Sequence, residues 1–204
     1  GMTETEDKSR LRDAATLIVV RQDTDRPRVL MGQRGKGAAF MPSKFVFPGG
    51  AVDSDDAALG AVDLEPASAA RLMREAPPEL AAPLALAAIR ETFEETGLAL
   101  GESDAQAAAR AAAAPAGWRD FLGLGLRPAT VGLRFIFRAV TPPGRPRRLD
   151  ARFFMAHAED LPGDPDDFAR ASGELSHLRW IALEEARALE MPFVTEIVLA
   201  EIAE

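Results

Sequence analysis

"AIRETFEETGLAL", residues 88 to 100, sets an electrostatic problem. On a helix Glu91, Glu94 and Glu95 fall three and four residues apart, so their side chains share one face and repel. They also lie close to the C-terminal stop that Gly97 marks, where the macrodipole already disfavours negative charge. Two unfavourable terms at one place ask for a favourable one that the chain does not supply, and a bound divalent cation would supply it. Leu86, Ile89 and Phe93 recur at the spacing of a buried stripe. At about 100° per residue the three glutamates lie opposite that stripe, towards solvent or a cleft.

Outward from this stretch the pattern changes quickly. The glutamate helix is expected over residues 83 to 96, with Pro83 in its first turn, where a missing N–H costs nothing. Residues 51 to 82 are acidic, Ala-rich and broken by Pro66, Pro77 and Pro78. They read as a surface insertion with one helix near 67 to 75, and as a helical flap beside a catalytic cleft that helps to choose the substrate. Leu64, Leu72 and Met73 give it an apolar side with which to dock. Upstream, "AATLIVVR" (14 to 21) and "RVLMGQR" (28 to 34) read as a hairpin, followed by the loop "GKGAAFMPSK" and a short apolar "FVFPGG" (45 to 50). Downstream come an Ala-rich helix at 104 to 113 and strands at 132 to 140, 151 to 157 and 177 to 183. Two helices close the chain, one at 184 to 190 and one from Thr195 as N-cap. Strands and helices are mixed rather than strictly alternating, so the expected class is α/β of the α+β kind, a mixed sheet covered by helices.

The composition narrows the function. Of 204 residues 47% are apolar, enough for a real core, and the expected organisation is a single domain over 10–204 with 51–82 inserted. Gly1 ahead of Met2 reads as a cloning remnant. The chain has no cysteine, which removes disulfides, thiolate metal sites and a thiol nucleophile. A net charge of −8 argues against a nucleic-acid scaffold, which would need a basic surface. No membrane partner is expected, the polar N-terminus is unlike a signal peptide, and a cytoplasmic location is the default.

Arg90-Glu91, Glu94-Glu95 and Gly97-Leu98, following the "FPGG" turn, resemble the signature of the Nudix hydrolases: G, five residues, E, seven residues, R-E-U-x-E-E-x-G-U, with U apolar. Gly50 matches the first glycine and "RETFEETGL" (90 to 98) the second half, with Thr92 in a U position. Between Gly50 and Arg90 stand 39 residues where the signature has 13, so an insertion of 26 splits it. Counted back from Arg90, the first glutamate falls on Ala82, with Glu79 or Glu75 as substitutes. The split looks like the branch that includes peroxisomal coenzyme A diphosphatases, and "FMPSKFVFPGGAVD", "VTPPGRPRRLDARFFMA" and "LRWIALEEA" agree with it.

The resemblance implies a Nudix-type mixed sheet sandwiched between helices and a metal-dependent diphosphatase. Glu94 and Glu95 would bind Mg2+ or Mn2+ with the Gly50 carbonyl nearby, and Glu91 would be a further ligand or the base. Arg90 would orient the glutamates, and Glu174 would complete the site as a distal carboxylate. Arg34, Phe47 and Gly49 are the candidate substrate contacts. The cluster Arg145, Arg147 and Arg148 could meet an extra phosphate, though a solvated loop is the more ordinary reading, and His157 and His177 read as structural. The implied partner is a small-molecule nucleotide, coenzyme A or an acyl-CoA first, with ADP-ribose or a dinucleotide as the alternative; a homodimer is open. A different class is a nucleotide-sensing module without catalysis. Ala82 favours it, and three mutually repelling carboxylates oppose it.

Overall fold

The computed structural model describes residues 10–35, 44–189 and 192–203. In chain order the elements begin with β1 (Leu11–Arg21), β2 (Arg28–Arg34), β3 (Phe45–Val46) and β4 (Gly49–Ala51). Helices α1 (Ser54–Leu59), α2 (Pro66–Leu72) and α3 (Pro78–Thr96) follow, then β5 (Gly101–Ser103), α4 (Ala107–Arg110) and α5 (Arg119–Gly123). The chain continues through β6 (Leu126–Pro128), β7 (Arg134–Val140), β8 (Arg148–His157) and β9 (Leu175–Ala182) to α6 (Leu183–Leu189) and α7 (Pro192–Ile202).

The main sheet runs β3-β2-β1-β8-β7, with β4 added beside β1 and β9 beside β2. β1 and β8 are parallel from Leu11↔Arg148 to Val20↔His157, while the other pairings are antiparallel. The sheet is mixed, as the sequence pattern required. Along β1, Ala15, Leu17 and Val19 point into one apolar cluster with α3, whereas Ala14, Ile18 and Val20 point into a second with α6 and α7. A strand covered on both faces needs apolar residues at successive positions, hence the unbroken "LIVV".

Helix α3 is where sequence reasoning needed most correction. It starts at Pro78 rather than Pro83, with Pro77 as its N-cap. Pro83 lies inside it, where it gives up a backbone hydrogen bond but presets a helical φ. Leu84 through Ile89 are all fully buried, so the helix has no free face in its middle. The sheet covers one side, and α1 and the segment around Trp118 cover others. Thr92, buried in a signature position that favours an apolar side chain, satisfies its hydroxyl on the Ala88 carbonyl at 2.8 Å. Gly97 ends the helix in the left-handed conformation at φ 80°, its N–H bonding the Phe93 carbonyl at 2.8 Å.

The insertion also differs from its expected form. It carries two short helices, and it is built into the body of the protein. Leu72 is buried in the α3 cluster, with Leu64 packed against that cluster, while Met73 is 60% exposed. The Thr130 hydroxyl donates to the Asp63 carbonyl at 2.5 Å, and the Phe135 N–H to the Ser68 hydroxyl at 3.1 Å. Buried Arg152 fixes the link to α3, donating twice to the Glu75 carbonyl at 3.0 and 2.7 Å. The Ala-rich segment 104–113 is shorter as a helix than its propensity suggested, and β5 and β6 form a separate two-stranded sheet. Thr195 sits inside α7 rather than at its N-cap. Most of the loop 35–44 lies outside the described residues.

Candidate active site

The site forms where β4 passes in front of the second half of α3. Gly49 and Gly50 pair with Thr16 and Ala15 of β1. A Cβ on Gly50 would stand 2.6 Å from the Glu91 carboxylate carbon, so only glycine lets that side chain lie flat on the strand. A Cβ on Gly49 would meet the Ala15 carbonyl at 2.6 Å. The tight "GG" therefore sets the spacing between sheet and carboxylates.

Arg90, only 6% exposed, is the hub. Its Nε and Nη2 donate to the two oxygens of Asp56 at 2.7 and 3.0 Å, and Nη2 also reaches the Ala51 carbonyl at 3.1 Å. Its Nη1 is shared by Glu91 at 3.2 Å and Glu94 at 3.2–3.3 Å. Burial works against the guanidinium charge, but Asp56 and the two glutamates outweigh it and hold the proton more firmly than usual.

Asp56 resolves the question of the first signature glutamate. It is fully buried on α1, six positions after Gly50, where the forward count of the signature places its acidic residue. The 26 extra residues therefore all lie between Asp56 and Arg90, and counting back from Arg90 to Ala82 was misled by them. Glu75 instead faces Arg138 at 3.4 Å, and Glu79 lies exposed in the first turn of α3. Counting forward from Gly50 would have found Asp56 in the sequence; no local pattern marks its other partner, Trp118.

The three glutamates are not equivalent. Glu94, the most open, is turned to Arg90. Glu95 is 6% exposed, accepts the Gly49 N–H, and shares a hydrogen bond with Glu91. Desolvation, followed by the charges of Glu91 and Glu174, pushes the Glu95 carboxyl well above the usual range. Desolvation likewise raises Glu91 to about 7, with Arg90 opposing and Glu94 reinforcing it. The two titrate as a pair. They face the cleft by being buried in it, not by projecting to solvent.

Glu174 is exposed, but its charge reaches Glu95. Its loop is held by the Ser172 N–H on the Glu94 carbonyl at 2.9 Å, the Trp180 indole on the Pro165 carbonyl at 3.0 Å, and Arg21 on Asp166 at 2.8 Å. Behind β4 opens a cavity of about 260 Å³ lined by Arg34, Phe47, Gly49 and Gly50 together with Thr16 and Phe153. The structure thus brings all three candidate substrate contacts to one cavity, and none of the residues 51–82 lines it. Arg145 and Arg147 are exposed, and Arg148 donates to the Thr141 carbonyl at 3.2 Å. His177 is exposed with φ 52°, its ring beside the Ser176 hydroxyl at 3.1 Å, and His157 ends β8 half-buried.

The donor set suits a hard cation, being all oxygen, with two carboxylates forced together away from water. Among the described residues, no ion pair forms at Glu95 and no group of three acidic or histidine side chains is drawn together as a metal centre. The fit therefore rests on the Glu91–Glu95 pair, whose raised proton affinity is the deficit of positive charge that a cation would fill.

The fold is a mixed α+β one, a parallel-plus-antiparallel sheet flanked by helices with a glycine strand against a carboxylate helix. No protein-family model matches the chain. It is 29% identical over 181 residues to nudix hydrolase 7 of Caenorhabditis elegans, covering 85% of this chain and 52% of that protein, so it spans about half the length of that relative. Among solved structures, a NUDIX hydrolase from Alicyclobacillus acidocaldarius is 27% identical with a TM-score of 0.60, covering 88% of this chain and 82% of that one. A C. elegans Ap4A hydrolase complex has the same fold at 18% identity and a TM-score of 0.51, covering 94% and 98% of the two chains. In sequence the chain is thus similar to Nudix hydrolases, and in fold it matches their solved structures. Among the described residues no helix is long and apolar enough to cross a membrane.

Proposed function

We propose that this chain is a metal-dependent diphosphatase of nucleoside-diphosphate-linked compounds, with coenzyme A or an acyl-CoA as its substrate. The observation that carries the reading is the buried Glu91–Glu95 pair behind Gly50. Two desolvated carboxylates in contact destabilise the fold, and a folded role alone gives no reason to keep them. Bound Mg2+ or Mn2+ would neutralise diphosphate oxygens and acidify a water molecule. Glu91, Glu95 and the Gly50 carbonyl would hold it, with Glu94 joining them from Arg90. Arg90 keeps the carboxylates in register. Glu174, or Glu91 where it does not hold the cation, would accept the proton that water loses as its oxygen bonds to phosphorus, the bridging oxygen leaving with the other phosphate.

The cavity behind β4 is at the small end of ligand pockets, so it suits one ring or arm of a substrate whose diphosphate crosses β4. Arg34 and Phe47 line it, and would meet a phosphate and an apolar group. The non-catalytic alternative loses its main support, since Asp56 supplies the acidic residue that Ala82 lacked. The test is a panel of coenzyme A, acetyl-CoA, ADP-ribose and Ap4A with Mg2+ or Mn2+, read by release of phosphomonoester products. Cleavage of coenzyme A or its acyl form with the highest kcat/KM is expected. Preference for ADP-ribose or Ap4A would replace the substrate and keep the reaction; tight binding without product would leave a sensor.

A further inference from the structure

The buried Asp56 carboxylate is held by more than Arg90. Its Oδ1 also accepts the Trp118 indole N–H at 3.1 Å, and its Oδ2 accepts the Asp53 N–H at 2.9 Å. Each oxygen therefore has two donors, which is what a fully desolvated carboxylate requires. Trp118 is itself fully buried and lies in a single turn with Gly117, whose N–H donates to Asp55 at 2.8 Å. That turn thus grips two consecutive aspartates of α1. A Cβ on Gly117 would come to 3.0 Å from the Asp55 carboxylate, a tight contact that would make that side chain give slightly. The indole packs edge-on beside Phe121 with centroids 5.2 Å apart, and Phe121 beside Phe93 of α3 at 5.4 Å.

We propose that Trp118 is a positioning residue. Through Asp56, its indole N–H fixes the Arg90 guanidinium and thereby the relative placement of Glu91 and Glu94. This rests on the hydrolase reading of the same site. An aspartate is one methylene shorter than the glutamate of the signature, so α1 must be drawn closer to Arg90. The two donors of the 117–118 turn provide that pull. Arg90 Nη1 divides long contacts of 3.2–3.3 Å between two glutamates, an arrangement that a small rotation of the guanidinium would unbalance. Were Oδ1 to lose its indole donor, the carboxylate could pivot about Arg90 and carry that rotation to the glutamates.

The test separates this from packing. Trp118→Phe keeps an aromatic ring and removes the donor, while Phe121→Leu loosens the same cluster and leaves Asp56 untouched. Trp118→Phe should lower kcat about tenfold, the value of one hydrogen bond to a charge, with KM changed by less than about twofold. Phe121→Leu should lower Tm at least as much and leave kcat at the wild-type level. Independently of turnover, the Arg90 Nε–H should exchange slowly with solvent in wild type and in Phe121→Leu, and much faster in Trp118→Phe. Should Trp118→Phe fail to fold, benzothienylalanine at position 118, isosteric but without an N–H, replaces it. Equal kcat values for the two variants, or unchanged Arg90 exchange in Trp118→Phe, would overturn the proposal. If wild type cleaves nothing in the panel, the hydrolase reading fails, and the exchange measurement still decides whether Trp118 holds Arg90.

Discussion

Two buried acidic sites meet at Arg90 of α3, Asp56 on one side and Glu91–Glu95 on the other, and they are built oppositely. At Asp56 one carboxylate meets four donors from Arg90, Trp118 and Asp53. At Glu91–Glu95 two carboxylates meet each other, with, among the described residues, the Gly49 N–H and one long contact to Arg90 to compensate. Burial of a charge is tolerated when the protein itself supplies the partners and is costly when it does not. The first site is therefore a fastening of the fold. The second is a deficit, which the proposed function reads as kept for a bound cation.

The sharpest way to break this comparison is to neutralise one carboxylate at each site. Glu95→Gln should reduce metal-dependent turnover on the order of 10³-fold or more, because a donor to the reacting centre is lost. The same variant, without metal, should unfold at an equal or higher temperature than wild type, since like-charge repulsion is removed. Thermal unfolding in chelator beside activity in Mg2+ reads both; a marked loss of Tm would make Glu95 structural. Asp56→Ala should instead cost stability, and turnover with it, because Arg90 loses its main partner. Leaving Arg90 buried without its partner should cost roughly 3–5 kcal/mol of stability, measurable by urea unfolding. A cost near that of an exposed salt bridge, below about 1 kcal/mol, would remove Asp56 from the scaffold. Replacing residues 53 to 80 by a short linker would remove Asp56 as well, and is expected to unfold the protein.

The smallest expected effect is on pH dependence. Glu91 holds its proton up to about 7 in the folded state, above its ordinary value of 4.5, and Glu95 shifts in the same direction. Between about 4.5 and 7 the folded chain thus binds more protons than the unfolded one, and its stability must fall as pH rises. Arg90 opposes the shift, while Glu94 and Glu174 reinforce it. Urea midpoints in chelator should decline across that window for wild type and stay flatter for Glu95→Gln. A midpoint that climbs through the window would mean the pair is already compensated.

Most of the framework was legible in the chain, because it depends on local pattern. β1 and β2 show as apolar runs, Gly97 as a helix stop, and the glutamate spacing as a shared face. The candidate catalytic helix was legible through its charges, since repulsion between neighbours on one turn follows from helical geometry alone. Its burial was not. The stripe Leu86, Ile89 and Phe93 suggested one covered face, yet Leu84 through Ile89 are enclosed on every side. Nothing local says that α1 and the Trp118 turn will lie on the outer face, because those contacts join residues 34 and 62 positions apart.

The sequence by itself determined the mixed sheet, the carboxylate helix and its glycine turn, since these follow from periodicity, propensity and near-neighbour charge. Only the tertiary structure decided which acidic residues are paired and which are left in deficit. That depends on donors brought from elsewhere in the chain. Asp56 and Glu95 are both buried carboxylates on helices, and their sequence neighbours do not distinguish them. What separates them, among the described residues, is the count of N–H groups the folded chain delivers to each, two from Arg90, one from Trp118 and one from Asp53 at the first, against the Gly49 N–H at Glu95.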